Sequence, residues 1–446
     1  MNMKAGVMIS SVFLLVQTTL AQNSDKSSFS LKEAQDFALE HHLNVQNAKL
    51  EYEEARKKVQ ETTAIGLPQI NGSVDYKYYS EIPISVVKAS TFDPTAPPDK
   101  KVAITFGVNN NAIMNFTANQ LIFDGTFIVG LQAAATYKQL KEQGIRMTEI
   151  EVKDLVAKSY YNVLIAEETG RIFAENVEKL EEQLTELQAM KEVGFIEDIE
   201  VDQLELILSD AIKRKQTIDR QISVTYQLLN FQMGREIEAP LELTDDLRGI
   251  YRSYDENALL SKEINVDQHI DFQMMETQEE LQHLQIRRDQ ASRLPTIGAS
   301  YALGYNSYVL PLQENLWYRN QYVGLHISMP IFTSSMNASK VAQDKIALDR
   351  IKNNKDMLED NLKIQIAVAR TKYIDALDEY VTEEKNLEIS KKIFDITRTK
   401  QKNGLASSMD VTVSNNQYLE VQGKYVNAIY SILEAKSTLD KALNNY

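Results

Sequence analysis

Apolar residues recur along most of this chain at alternating steps of three and four positions, the spacing of one face of a long helix. In the second half this pattern covers residues 411–442. Shifting the numbering back by 210 gives a matching run over 201–229, in which only Lys215 strongly departs from apolar character. Because the register persists without an insertion, we infer that the chain is a tandem repeat.

Each half also contains one very long helical pattern, residues 126–192 in the first and 336–402 in the second. Both are free of proline, and at 1.5 Å of rise per residue each predicts a helix of about 100 Å. Residues 173–187 step by four and three, as the seam of a coiled coil does. A shorter helix with the same spacing is predicted over 31–63.

Four segments instead alternate between apolar and polar residues, which predicts strands at 68–82, 102–123, 295–308 and 320–332. Each is long enough to cross a bilayer at a tilt, and the polar positions are mostly small and hydroxyl-bearing, as in a wet lumen. Tyrosines and the single tryptophan cluster in or beside these segments, which suits the headgroup region of a membrane. The alternation alone also allows a soluble sheet with one buried face.

If these strands do span a membrane, their number requires oligomerisation. Even a barrel of about eight strands is filled by its own side chains, so four strands cannot enclose a usable bore. Copies of the chain must therefore combine their strands, and three copies give twelve.

The predicted organisation has four parts. Residues 1–21 read as a signal peptide, with a short apolar run and a small-residue cleavage site. The first structural repeat covers 22–240, an equatorial linker covers 241–262 with a short helix near 257–262, and the second repeat covers 263–446. The first repeat has extra residues around 88–101, including three prolines, which predict a longer exposed loop.

Composition excludes several function classes. A net charge of −15 argues against a nucleic-acid binder. The absence of cysteine excludes disulfides and thiolate metal sites, and the five histidines lack metal-ligand spacing. No nucleotide-binding or hydrolase motif is present. We expect a protein that is not an enzyme and carries no metal or cofactor. Beyond the signal peptide no stretch is apolar enough for a membrane helix, so membrane entry would require a closed β-barrel.

The ordered set of features resembles the TolC-type outer-membrane efflux family over residues 31–443. The resemblance rests on two Leu-Pro-x-Ile strand openings at 67–70 and 294–297, the paired long helices, and turns at Gly194 and Gly404 that are each followed by an acid. It implies a mainly α protomer with a small transmembrane β part. Three protomers would form a 12-stranded barrel in outer-membrane lipid, continued by a long α-helical barrel across the periplasm.

The same resemblance implies a function, namely a passive exit duct of a tripartite efflux or type I secretion system. The duct would receive its substrates from an inner-membrane pump and a periplasmic adaptor protein. The alternative is a periplasmic coiled-coil scaffold with a soluble sheet. An adaptor would have one helical hairpin between lipoyl-like and barrel domains, whereas this chain has two strand pairs.

Residues at the two turns are the candidate site. The resemblance implies that the turns form the periplasmic tip that meets the adaptor, and apolar residues beside them suit such docking or else ordinary helix-turn packing. The docking candidates are Val193, Gly194, Phe195, Ile196, Gly404 and Leu405.

An acid six residues after each turn glycine, Glu200 and Asp410, could form an acidic gate ring or merely a solvated helix start. The other gate residues of the family do not carry over, because Gln401, Ala406 and Val413 occupy their positions.

Overall fold

The structure is a computed structural model that describes residues 27–105, 107–252, 260–261, 265–308 and 317–446. The predicted signal peptide, 1–21, lies outside these residues, as does most of the helix predicted near 257–262.

Helices form most of the described chain. They are α1 (Leu31–His41), α2 (Leu43–Ile65), α3 (Gly125–Glu192), α4 (Asp198–Met233), α5 (Leu247–Arg252), α6 (Ile270–Ala291), α7 (Met336–Lys402) and α8 (Ser408–Ala442). The two longest, α3 with 68 residues and α7 with 67, are each about 100 Å long at 1.5 Å of rise per residue. None of the described helices combines the length and the apolar character needed to cross a bilayer.

The strands are short or lie at one end of these helices. They are β1 (Ser28–Phe29), β2 (Gln69–Tyr78), β3 (Ile84–Lys88), β4 (Lys101–Thr105), β5 (Asn110–Phe123), β6 (Glu242–Leu243), β7 (Thr296–Ser307) and β8 (Trp317–Ser328). The main sheet is antiparallel in the order β2-β5-β7-β8, so the two repeats meet between β5 and β7. β1 and β6 form a small parallel pair, and β3 and β4 form a separate hairpin.

The helices pack as two successive groups that share α3 and α7. Nearer the sheet, α3 lies between α2 and α6, and α6 in turn contacts α7. Farther from the sheet, α3 contacts α4 and α8, and α8 contacts α7. The coiled-coil seam of the first repeat is buried here, where Val177, Leu180 and Leu187 of α3 pack against Val201 and Leu204 of α4.

The largest core lies between these two groups, where α1, α3, α4, α5 and α8 come together. Tyr160 is fully buried there. Its hydroxyl donates to the carbonyl of Phe29 at 3.0 Å and contacts the Asp245 carboxylate at 3.0 Å. Asp245 also accepts the backbone N–H of Leu31 at 2.7 Å. These bonds fasten the β1–β6 pair and the start of α1 to the middle of α3.

The strands differ from the predicted ones at several ends. The segment predicted as one strand over 102–123 is two strands, β4 ending at Thr105 and β5 beginning at Asn110, and Gly107 between them has a φ of +137°. Both strands are extended, so the alternation of apolar and polar residues continues across the break. Gly107 is the sequence signal that marks where the two strands separate. The loop predicted at 88–101 is present as the mostly exposed connection between β3 and β4, and the two strands that it joins were not predicted as a separate hairpin.

The outer limits of the strands also shift. β2 ends at Tyr78 rather than at 82, and β8 covers 317–328 rather than 320–332. Met329 to Phe332 therefore lie outside the sheet, and Phe332 is 85% exposed. The alternating apolar residues of 329–332 come just before α7, so alternation there does not mark a paired strand.

Candidate functional site

The main sheet has one polar and one apolar face. The register places Ser73, Asn115, Gly304 and Asn320 in one row across all four strands, on the polar face. A Cβ at Gly304 would lie 2.1 Å from Oδ1 of Asn320 and 3.0 Å from Oδ1 of Asn115. Both amides lean over the glycine, so a larger residue there would have to displace them.

The opposite face is apolar and uncovered. Ile70, Tyr301 and Val323 share one row with Ala118 on this face, and Ile70 and Val323 are 77% and 81% exposed. Apolar patches of this kind mark surfaces that contact lipid or another protein. β2 and β8 are the sheet's edge strands and each pairs with one neighbour in the described chain. An open edge of this length is a template for pairing with another chain.

At the far end of the helices, both long helices end in the same backbone structure. Gly194 and Gly404 have φ of +78° and +72°. The N–H of the residue after each glycine bonds five residues back, Phe195 to Met190 at 3.0 Å and Leu405 to Lys400 at 2.9 Å. This is the Schellman motif, in which glycine accepts the left-handed conformation without strain. The sequence therefore places the two turns at equivalent points of the repeats.

The residues predicted for docking lie at these turns with different exposures. Phe195 is 82% exposed, Leu405 76% and Val193 66%. Ile196 is half-buried and packs against the cluster between α3 and α4. Three apolar side chains are thus displayed to solvent at the turns, whereas Ile196 has the ordinary packing role.

The two acids occupy the same helix position but have different contacts. Glu200 and Asp410 are each the third residue of their helix, α4 and α8. Asp410 forms a capping box with Ser407: its carboxylate accepts the Ser407 N–H at 2.9 Å, and Ser407 Oγ accepts the Asp410 N–H at 3.2 Å. The hydrogen bonds from the Ser407 backbone and hydroxyl lower the pKa of Asp410. No hydrogen bond or ion pair joins Glu200 to Asp410 within the described residues.

Each turn is also bridged once between its helices, at equivalent positions of the repeat. Lys191 forms an ion pair with Asp198 at 2.9 Å in the first turn. In the second, Gln401 Nε2 donates to Ser408 Oγ at 3.2 Å. Gln401, one of the residues that depart from the family pattern, thus has a local bridging contact. Val413, another departure, is exposed.

Two buried histidines start helices at equivalent points of the repeats, and the sequence reasoning missed them. His42 and His269 are the N-cap residues of α2 and α6, 227 positions apart, the same separation as the two strand-opening prolines. Nδ1 of His42 accepts the N–H of Asn44 at 3.1 Å, and Nδ1 of His269 accepts that of Asp271 at 3.3 Å. Burial lowers the pKa of both imidazoles, which favours the neutral ring that can accept at Nδ1. The shared offset was the signal that could have revealed them.

A cavity of about 360 Å³ lies beside His269. α3, α6, α7 and the end of α8 line it, with mostly apolar side chains that include Ile150, Val368 and Ala442. Among the described residues no cluster of histidines and carboxylates could hold a metal ion.

Comparisons with known proteins agree with this architecture. Residues 266–445 match the model of the outer membrane efflux protein family. No curated protein sequence matches the chain. The fold is similar to that of the Campylobacter jejuni CmeC outer membrane channel, at 17% identity and a TM-score of 0.70, covering 93% of this chain and 85% of that one. The Vibrio cholerae outer membrane protein VceC is similar at 16% identity and a TM-score of 0.71, covering 93% of this chain and 95% of that one.

A third channel of this fold, the Neisseria gonorrhoeae MtrE outer membrane channel in its open state, has 17% identity and a TM-score of 0.71, covering 93% of this chain and 88% of that one. The TolC-type fold thus extends over nearly the whole described chain. The second repeat is therefore similar in sequence to the outer membrane efflux protein family, and the fold of the chain is that of the outer-membrane channels above.

Proposed function

We propose that three copies of this chain form the passive outer-membrane duct of a tripartite efflux or type I secretion system. The carrying observation is the main sheet, which has four strands, one polar face and one uncovered apolar face. Within the described residues, neither of its two edges is paired with a further strand. Three such sheets, joined edge to edge, would enclose a polar bore and present the apolar faces to lipid.

The helices supply the rest of the duct. α3 and α7 continue from the sheet for about 100 Å, long enough to carry the bore deep into the periplasm. Their far ends carry the exposed Phe195, Leu405 and Val193, which are suited to contact a periplasmic adaptor. The chain has no nucleotide-binding motif, so an inner-membrane pump would supply the energy.

The placement and oligomeric state are tested together. The mature protein should fractionate with the outer membrane and give hollow particles with threefold symmetry in electron micrographs. A soluble monomer in the periplasm would instead support the scaffold alternative and reject the duct.

Glu200 and Asp410 are proposed as an acidic ring that narrows the tip. In planar bilayers, the double variant Glu200→Ala/Asp410→Ala should have a larger conductance and weaker cation preference, because the ring's charge is removed. Ser407→Ala is the matched control, since it removes the capping box but keeps both acids. An equal rise in conductance for Ser407→Ala would assign the effect to a loosened helix start, and an unchanged double variant would also reject the gate.

A further inference from the structure

The β3–β4 hairpin, residues 84–105, is an extension that the duct function does not use; we name it the arm. It lies between Tyr78, the last residue of β2, and Asn110, the first of β5, which form the last row of that strand pair. The helices join both strands at their opposite ends. The arm therefore lies beyond the sheet on the side remote from the helices.

The arm is an ordered structure with exposed apolar side chains. Two backbone hydrogen bonds close its turn. The N–H of Ala89 donates to the Lys100 carbonyl at 2.7 Å, and the N–H of Phe92 donates to the Ala89 carbonyl at 3.1 Å. Yet Ile84 and Val86 on one face are 65% and 64% exposed. An isolated two-stranded hairpin is marginally stable in water, so this apolar face favours a covering surface.

The same face ends in two lysines directly opposite each other. Side chains alternate along a strand, so Ile84, Val86 and Lys88 share a face, and the register sets Lys88 against Lys101. Like charges in directly opposite positions are destabilising. No ion pair to either lysine is present in the described residues. The nearby Asp93 carboxylate instead accepts hydrogen bonds from Thr95.

A ligand that covers this face must combine an apolar body with an anionic group. A neighbouring arm would bring the same two ammonium groups and add repulsion, whereas a phosphate would relieve it. Two exposed tyrosines of the apolar face, Tyr76 and Tyr78, stand at the same end of the sheet, and such residues mark the headgroup level of a membrane. The arm would then begin at the headgroups.

We propose that the arm binds phosphate-bearing lipid of the outer leaflet, with Lys88 and Lys101 on the phosphate and Ile84 and Val86, at the base of the arm, against the upper ends of the acyl chains, where these join the headgroup. This rests on the proposed outer-membrane placement. It assigns to the arm a role in holding the channel in its membrane, separate from conduction.

The chain has no cysteine, so one introduced by Val86→Cys can carry an environment-sensitive dye at a unique position. The labelled full-length trimer would be reconstituted in vesicles of a phosphate-free digalactosyl diacylglycerol, alone or with a bis-phosphorylated glucosamine lipid or its dephosphorylated form. We expect a blue shift only with the phosphorylated lipid, and a several-fold smaller shift in the Lys88→Gln/Lys101→Gln background. Lys57→Gln/Lys58→Gln on α2 removes two other exposed lysines and should leave the shift unchanged.

A shift of equal size in all three vesicles would show apolar insertion without phosphate recognition and overturn the proposal. An absent shift would overturn it too, as would a shift produced by free inorganic phosphate in vesicles lacking the lipid. Conductance measured on the same vesicles separates these results from a failure of the duct itself, because the lysine variants leave the bore intact.

Discussion

The returning helices of the two repeats, α4 and α8, end with the same backbone structure at the middle of the molecule, but their ends are packed differently. In the first, α4 ends at Gly234, φ +75°, directly against the backbone of His41. In the second, the equivalent residue at the end of α8 is Asn444, φ +53°. Both ends have the Schellman bonds, and both face a helix that starts with a buried histidine, His42 or His269. The backbone structure is shared, but the first junction is tight and the second has a cavity.

This difference shows which features the repeat constrains. Helix ends and starts recur because their N–H and C=O groups must find partners wherever a helix stops. The side chains that fill the space between helices are free to differ. Gly234 is needed for close approach as well as for its backbone conformation, whereas Asn444 adopts the same backbone conformation and its side chain donates to the Gln268 carbonyl at 3.3 Å.

The largest expected effect comes from adding a methyl group at the tight junction. In Gly234→Ala, the new Cβ would lie 2.6 Å from the carbonyl oxygen of His41 and 2.9 Å from the His42 nitrogen. The clash and the left-handed backbone together should destabilise the fold by about 2–4 kcal/mol. Asn444→Ala is the matched control and should cost about 1 kcal/mol, because it adds no comparable clash. Denaturant unfolding of the refolded protein would measure both, and equal losses would show that the junctions do not differ.

The sequence predicted the helices and the main sheet because their signals are long and repeated. The register of 201–229 against 411–442 fixed the helical hairpins, and alternation located all four strands of the sheet. The split at Gly107 was missed because alternation does not record which strand is the partner. The arm was not predicted for the same reason, since in the described chain its two strands pair with each other and not with the main sheet.

The candidate site was predicted less completely, for a physical reason. Turn glycines are visible in sequence because few residues accept positive φ. The contacts of an acidic side chain are not visible in the sequence in this way. Asp410 forms hydrogen bonds with Ser407, whereas Glu200 has the same helix position but no side-chain cap precedes it. A histidine that caps a helix also leaves no spacing motif, and only its recurrence 227 residues later identifies it.

The two histidine caps predict acid sensitivity at both junctions. Their pKa values are lowered in the folded protein, so the unfolded chain binds protons more readily and stability falls as pH decreases through and below about 6.5. A protonated ring cannot accept at Nδ1, so each helix start should lose about 1 kcal/mol as its histidine charges. Hydrogen exchange of the first turns of α2 and α6, corrected for intrinsic rates, would detect the loss.

His42→Asn and His269→Asn are the controls, since asparagine caps a helix without titrating. Each substitution should abolish the acid response of its own helix start only. If the response persists in the double variant, other groups cause it and the histidines are structural caps without a pH role.

The smallest expected effect separates the two tip turns. Ser407→Ala removes one capping box and should cost about 1 kcal/mol at the start of α8. Glu197 precedes α4 without capping it, but Glu200 already stands three residues later, so Glu197→Ser would complete the same box in the first repeat. We expect it to protect the amides of 198–201 by about 0.5–1 kcal/mol in hydrogen exchange.

Because the capping box would also draw the Glu200 carboxylate back toward its own backbone, the conductance of the Glu197→Ser channel is a second readout. A more protected turn with unchanged conductance would mean that Glu200 holds its helix and not the gate, whereas a rise toward the value of the double alanine variant would place its free carboxylate in the ring.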